Sequence, residues 1–333
     1  MNLAKANRVL IIRLSSLGDI ILTTPVLRAI KKKHPQLKID FLCFKNFADV
    51  LNQNPNISSL ITYNKKDNLL DLTKLLRQNE YDFIFDLHNN FRTNKILRVL
   101  KIPFHQYKKP NLAKFMLVNF KINLIKKIIP ITDRYILGFN DIELDEGSAE
   151  IFIPENIMPQ LSRNSEKHIA FCPGSKHFTK MWPKEYFIQL GNMLTAMGFK
   201  IVLLGGSSDR QICQEIYTQI AGSINLSNDD NLHLIAANLK ECLVTVCNDS
   251  GMMHTSYSVG TPVISFFGST VKELGFYPYK TKNLILENNS LNCRPCSHIG
   301  KNKCPKKHFK CMRDLTPELV IDDITQFINQ QSN

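Results

Sequence analysis

Tryptophan is almost missing from this 333-residue chain, with a single copy. Glycine and proline, at 14 and 15, are too few and too aperiodic for a collagen-like or low-complexity protein. No uninterrupted apolar run reaches the ~18–20 residues that cross a bilayer, so no membrane-spanning segment is expected. No export signal is expected either, because Arg13 and Asp19 break the apolar stretch that would form its core. Nine cysteines, an odd number without secretory context, read as reduced thiols of a cytoplasmic protein. Signatures are lacking too: there is no GxGxxG, no Walker A lysine pattern, and no RNA-recognition or zinc-finger motif.

What remains is an ordinary globular composition, 44% hydrophobic and 21% charged, long enough for two domains. Charge is distributed unevenly. Residues 1–140 hold 24 Lys and Arg against 9 Asp and Glu, and the rest of the chain holds 18 against 20. The excess peaks between His88 and Arg134, where 11 basic residues meet one acid, Asp133. An anionic partner is expected for the first half, whether nucleic acid, an acidic small molecule or a membrane surface.

Apolar strand-like runs at 8–14, 38–44, 59–63 and 81–87 alternate with helical periodicity, first over 20–33. The alternation restarts after a turn-rich stretch near 140–166, with strands at 168–172, 200–204, 243–247 and 262–267 and a last amphipathic helix over 317–329. Such βαβ repetition predicts parallel sheets, and two restarts predict two Rossmann-like α/β domains facing across a cleft. The last helix could pack on either domain.

In open α/β sheets ligands bind beyond the carboxyl ends of strands, so the polar loops there are the candidates. Ser15-Ser16-Leu17-Gly18-Asp19 joins a strand to a helix, and Asp19 reads either as a helix cap or as a carboxylate acting as general base. Asn248-Asp-Ser-Gly-Met-Met-His254 also opens a helix. The amides at Ser250, Gly251 and Met252 suit a phosphate, and His254 lies one turn further on. Pro173-Gly-Ser-Lys-His-Phe-Thr-Lys-Met-Trp-Pro183 offers Ser175 and Lys180, the latter able to neutralise a diphosphate; Asp209 ends the turn Gly205–Asp209.

Taken in order, Arg8-Val-Leu-Ile-Ile-Arg-Leu-Ser-Ser-Leu-Gly-Asp19, Pro173-Gly-Ser with Lys180-Met-Trp-Pro183, the 248–254 motif and Phe267-Gly-Ser-Thr270 resemble the ADP-heptose:lipopolysaccharide heptosyltransferases. The likeness runs from Arg8 to Met312. His177 departs from the family's frequent aromatic residue and Met252 from its frequent Pro or Leu. The resemblance implies an α/β GT-B protein, with an acceptor-binding domain over 1–160, a nucleotide-sugar domain over 161–315, and a C-terminal helix over 316–333 that could cross back. It implies inverting transfer of heptose from ADP-heptose to the lipopolysaccharide inner core, with Asp19 as base. Ser15, Ser16 and Arg92 are then acceptor contacts, whereas Lys95, Arg98, Lys108 and Lys109 read better as a solvated face than as direct contacts. Ser175, Lys180, Asp209, Asp249, Ser250, Gly251 and His254 become donor contacts. No cofactor beyond the donor substrate and no bound metal are expected. The basic half then answers an anionic glycolipid, and no nucleic acid is expected.

Residues 112–129 interleave apolar side chains with Lys114, Lys121, Lys126 and Lys127. That pattern suits either a helix lying on an anionic inner-leaflet surface or one packed in the core. Cys293, Cys296, Cys304 and Cys311 are compatible with a four-thiolate site but read better as free thiols. The pair Asp229–Asp230 reads as loop. The competing functions are a transferase using another nucleotide sugar, and a non-catalytic binder of anionic lipid or nucleic acid.

Overall fold

The computed structural model describes residues 3–139, 142–162, 166–228 and 230–331. They form two compact units, Met1–Pro110 with Ile129–Phe152, and Asn111–Ile128 with Ile153–Asn333. In the first, β1 (Arg8–Ile12), β2 (Lys38–Phe44), β3 (Ser59–Tyr63), β4 (Phe83–Asp86) and β5 (Phe104–Gln106) make an all-parallel sheet in the order β3-β2-β1-β4-β5. The second contains β6 (His168–Cys172), β7 (Lys200–Leu203), β8 (Ile224–Asn225), β9 (Val244–Asn248), β10 (Val263–Phe267) and β11 (Asn283–Glu287). These are also all parallel, in the order β11-β10-β9-β6-β7-β8.

Every residue of β6, β9 and β10 is buried, as parallel strands covered on both faces require. In both sheets the chain reverses its direction of travel beside the first strand, between β1 and β4 and between β6 and β9. Loops leaving those strands therefore flank a topological switch point, where α/β sheets bind ligands.

Four expectations change. The helix predicted over 20–33 is two, Leu17–Ile21 and Thr24–Lys33. Pro25 has no N–H to continue the ladder to Ile21, and the Thr23 and Thr24 hydroxyls donate instead to the carbonyls of Ile20 and Ile21. Residues 111–128, read with the first domain, belong to the second unit, where the Lys121 ammonium donates to the Pro295 carbonyl at 2.6 Å. The chain passes finally into the second unit at 152–153 rather than at 160–161. The helix Pro317–Asn329 does not cross back: Ile324 and Ile328 are fully buried in the second unit's core with Phe187 and Leu190. Strands β5, β8 and β11 were not predicted; the shortest has two residues, below what alternation can reveal. Asp229 lies outside the described residues. Its neighbour Asp230 accepts the Ser207 N–H at 2.8 Å and hydroxyl at 2.6 Å, fixing the 205–209 turn.

Candidate active site

The first cluster sits where β1 and β4 end. Asp19 lies in the first turn of the helix Leu17–Ile21, and its Oδ2 accepts the Ser16 N–H at 3.1 Å and the Ser16 hydroxyl at 2.7 Å. The carboxylate thus caps its own helix, yet its other oxygen is 2.6 Å from Nη2 of Arg13, whose side chain is 9% exposed. Arg13 itself is held by donation to the Leu87 carbonyl, immediately after β4, and lies over the Tyr135 ring. Burial opposes ionisation of Asp19, but the Arg13 charge and the Ser16 hydrogen bonds outweigh it and hold the carboxyl below the ordinary aspartate range. Asp19 is therefore a carboxylate at neutral pH.

Two further groups, from the loops that follow β4 and β5, complete these surroundings. His88 follows β4; burial, reinforced by Arg13 and Lys109, pushes its imidazole down to about 3, so it is neutral in ordinary buffers. Lys109 donates to the Asn89 carbonyl at 3.0 Å, and burial together with Arg13 lowers its pKa. Ser15 and Ser16 flank Asp19, with Ser16 exposed. Arg92 stands further along the strand ends, its guanidinium over the rings of Phe44 and Tyr63 that terminate β2 and β3.

The second cluster is built by loops leaving β6, β9 and β10. Asn248, the last residue of β9, accepts the Trp182 N–H with its side-chain oxygen at 2.9 Å and donates to the Pro173 carbonyl at 2.7 Å. It thereby pins both ends of the 173–183 loop. Trp182 is buried and stacks on Phe266, with ring centroids 4.0 Å apart and an interplanar angle of 9°. So anchored, the loop delivers the Lys180 ammonium to Oδ2 of Asp249 at 2.7 Å. The Thr270 hydroxyl donates to that same oxygen at 2.6 Å. Asp249 is 4% exposed, its Oδ2 taken up by Lys180 and Thr270.

Ser250 is the N-cap of the helix Gly251–Ser258, but its hydroxyl makes no cap hydrogen bond and is buried without a partner. An unsatisfied hydroxyl, the free amides of a helix start and a neighbouring ammonium together fit a phosphate group. Asp209 reaches the same end of the sheet. Gly174 is required there, because a Cβ would collide with the Asp209 carboxylate. Burial, with Asp230 adding to it, raises the Asp209 pKa despite hydrogen bonds from Gly206 and Ser208. Ser175 is half-buried beside Gly174. His254 is turned into the interior, 5% exposed, with Nδ1 2.6 Å from the Tyr257 hydroxyl.

All nine cysteines are free thiols. Cys293 Sγ approaches His308 at 4.0 Å, but among the described residues no three His, Cys, Asp or Glu side chains are gathered to hold a metal ion. Sequence reasoning passed over Arg13, seen only as an interruption of an apolar run. It also assigned no role to Asn248 or Thr270. A cation embedded in a buried strand end six residues before an aspartate was the available signal.

Comparison with known proteins agrees with this architecture. Residues 69–307 match the profile of glycosyltransferase family 9 (heptosyltransferase). Lipooligosaccharide heptosyltransferase 2 of Campylobacter jejuni is 26% identical over 320 residues, spanning 92% of this chain and 95% of that protein. Lipopolysaccharide heptosyltransferase 2 of Salmonella typhimurium is 24% identical over 356 residues, spanning 97% and 99%. Among solved structures, a family 9 glycosyltransferase from Veillonella parvula superposes with a TM-score of 0.79 at 23% identity, covering 99% of each chain. ADP-heptose lps heptosyltransferase II of E. coli gives 0.75 at 20% identity, covering 98% and 100%. With two parallel-sheet units of GT-B type and a profile match over most of its length, this chain is a glycosyltransferase belonging to family 9, the heptosyltransferases.

Proposed function

We propose that the enzyme moves heptose from ADP-heptose to the anionic inner core of lipopolysaccharide, a Kdo–lipid A or core-heptose acceptor, with inversion at the anomeric carbon. The observation that carries the donor half is the grouping of Lys180, the unpartnered Ser250 hydroxyl and the start of the helix Gly251–Ser258, a fit for a departing diphosphate. Ser175 and the Ser250 and Gly251 amides share that load, and Asp209 takes the ribose hydroxyls. On the acceptor side, Asp19 receives the proton of the attacking hydroxyl. An aspartate is too weak to ionise a sugar alcohol beforehand, so proton transfer accompanies C–O bond formation while the bond to ADP breaks. The developing charge on ADP is met by Lys180 and the helix amides, without a metal. Arg92, Ser15 and Ser16 orient the acceptor.

The glycolipid acceptor places the working site at the inner leaflet, with the protein attached peripherally. Residues 111–128 support this: Leu112, Phe115, Phe120, Ile122, Leu124 and Ile128 are 43–71% exposed, interleaved with lysines, and only Leu117 is buried. Among the described residues no helix is long and apolar enough to cross a membrane. The test is transfer from ADP-heptose and from UDP-sugars to a panel of truncated core acceptors, wild type beside Asp19→Asn. Product from a UDP donor alone would move the assignment to another nucleotide-sugar transferase.

A further inference from the structure

We propose that Arg294 is a positioning residue for the donor diphosphate, acting through the 267–270 turn on Lys180; this rests on the reading of Lys180 given above. The Arg294 side chain is 4% exposed and pairs with Glu287 at 2.6 Å. Its Nε donates to the Gly268 carbonyl at 2.7 Å, and Nη2 donates to the carbonyls of Phe267 at 3.1 Å and Thr270 at 3.0 Å. Nη1 donates to the Asn288 carbonyl at 2.6 Å and the Asn289 side chain at 3.1 Å. One planar cation thus gathers three carbonyls of a turn that leaves β10, beside the 248–251 loop. A structural clamp for β11 alone would not need them.

Two routes lead from that turn to Lys180. In one, the Thr270 hydroxyl bonds the Asp249 oxygen that also holds the Lys180 ammonium, so the turn sets the direction of that carboxylate. In the other, Ser269 N–H donates to the Thr179 carbonyl at 3.3 Å, and the Thr179 hydroxyl donates to Ser269 Oγ at 3.1 Å. Thr179 is the residue before Lys180, and it is gripped from the far side by reciprocal hydrogen bonds with the Lys301 backbone, at 3.0 Å from its N–H and 2.8 Å to its hydroxyl. The turn packs without slack: a Cβ on Gly268 would stand 2.8 Å from the Thr179 carbonyl. Arg294 therefore fixes both the backbone beneath Lys180 and the carboxylate in front of it.

The experiment compares Thr270→Val, Thr270→Ser, Arg294→Lys and Lys180→Met with the wild type, measuring ADP affinity by calorimetry, KM for donor and acceptor, kcat and Tm. Thr270→Val keeps the shape and loses the hydroxyl. It should raise the donor KM and ADP Kd about tenfold, the worth of one hydrogen bond to a charged group, with acceptor KM unchanged. Thr270→Ser should restore both. Arg294→Lys keeps the charge but not the fork, and should shift the donor terms in the same direction. If Lys180→Met weakens ADP while Thr270→Val and Arg294→Lys do not, the inference is wrong and the reading of Lys180 stands. If Lys180→Met leaves ADP binding unchanged, that reading fails and takes the inference with it. A lower Tm for Arg294→Lys with wild-type donor KM would show a purely structural clamp and overturn the proposal.

Discussion

Replacing Asp19 by asparagine separates the pairing with Arg13 from the work of a base that we propose for the same carboxylate. The amide retains the shape and one oxygen for Ser16, but it removes the charge opposite Arg13, 2.6 Å away in the native enzyme. Stripping one partner from a buried pair costs about 3–5 kcal/mol, because the other charge stays desolvated. With the Asp19 side chain 17% exposed, the lower end, about 3 kcal/mol, applies here. Urea unfolding should therefore show a clear loss of stability, leaving the variant folded at low denaturant. Independently, loss of a general base should lower kcat by about 10²–10⁴. The assay is ADP release at saturating donor and acceptor, on protein shown to be folded by circular dichroism. Turnover within a few-fold of wild type would refute the assignment of Asp19 as base, and an unchanged urea midpoint would refute the buried pair. Asp19→Ala is the poorer test, since it also discards the helix cap.

Arg13→Met should raise the Asp19 pKa, since burial then acts without the opposing guanidinium; the acid limb of the kcat–pH profile should move to higher pH, and a stationary limb would contradict this. By linkage, the depressed Asp19 adds stability that is complete above the unfolded aspartate pKa and fades as pH falls through the lower folded value, so acid unfolding of this variant should flatten there. Ser250→Ala removes a hydroxyl that bonds nothing in the free enzyme: Tm should hold while ADP affinity drops about three- to tenfold, measured by calorimetry. Lys126→Glu with Lys127→Glu, or Phe115→Ser with Phe120→Ser, should each release the enzyme from acidic-lipid vesicles, the charge pair by at least about fivefold per lysine. Equal sedimentation of wild type and variants would count against membrane attachment. Lys121 is unsuited to that experiment, because its ammonium is engaged with the Val118 and Pro295 carbonyls.

Much of the fold was legible because strands of a parallel sheet read as short apolar runs and the last helix as an amphipathic one; the segments at 38–44, 59–63, 168–172 and 317–329 coincide with elements of the same bounds. The loops at their carboxyl ends followed from the alternation, and the ordered motifs gave them a chemistry. Lost to sequence were features fixed by distant partners. Arg13 is intelligible only once β4 brings Leu87 within 2.6 Å. Arg294, lying between two cysteines, reads as part of a thiol cluster until the turn after β10 folds against it. His254 has a spacing that suits the site, yet tertiary packing hands its ring to Tyr257. Residues 111–128 departed from their sequence neighbours for a similar reason, since the carbonyl that holds Lys121 is 174 positions further along the chain.

The lone tryptophan has a practical consequence. Trp182, two positions from Lys180, lays its indole flat on Phe266, donates its ring N–H to the Leu315 carbonyl and has its backbone N–H fastened to Asn248. Excited at its red edge, the protein emits from a single fluorophore embedded in the loop that would grip the nucleotide. Any rearrangement of that loop on loading or release is thereby written into one unlabelled optical signal, readable in stopped flow on the native enzyme.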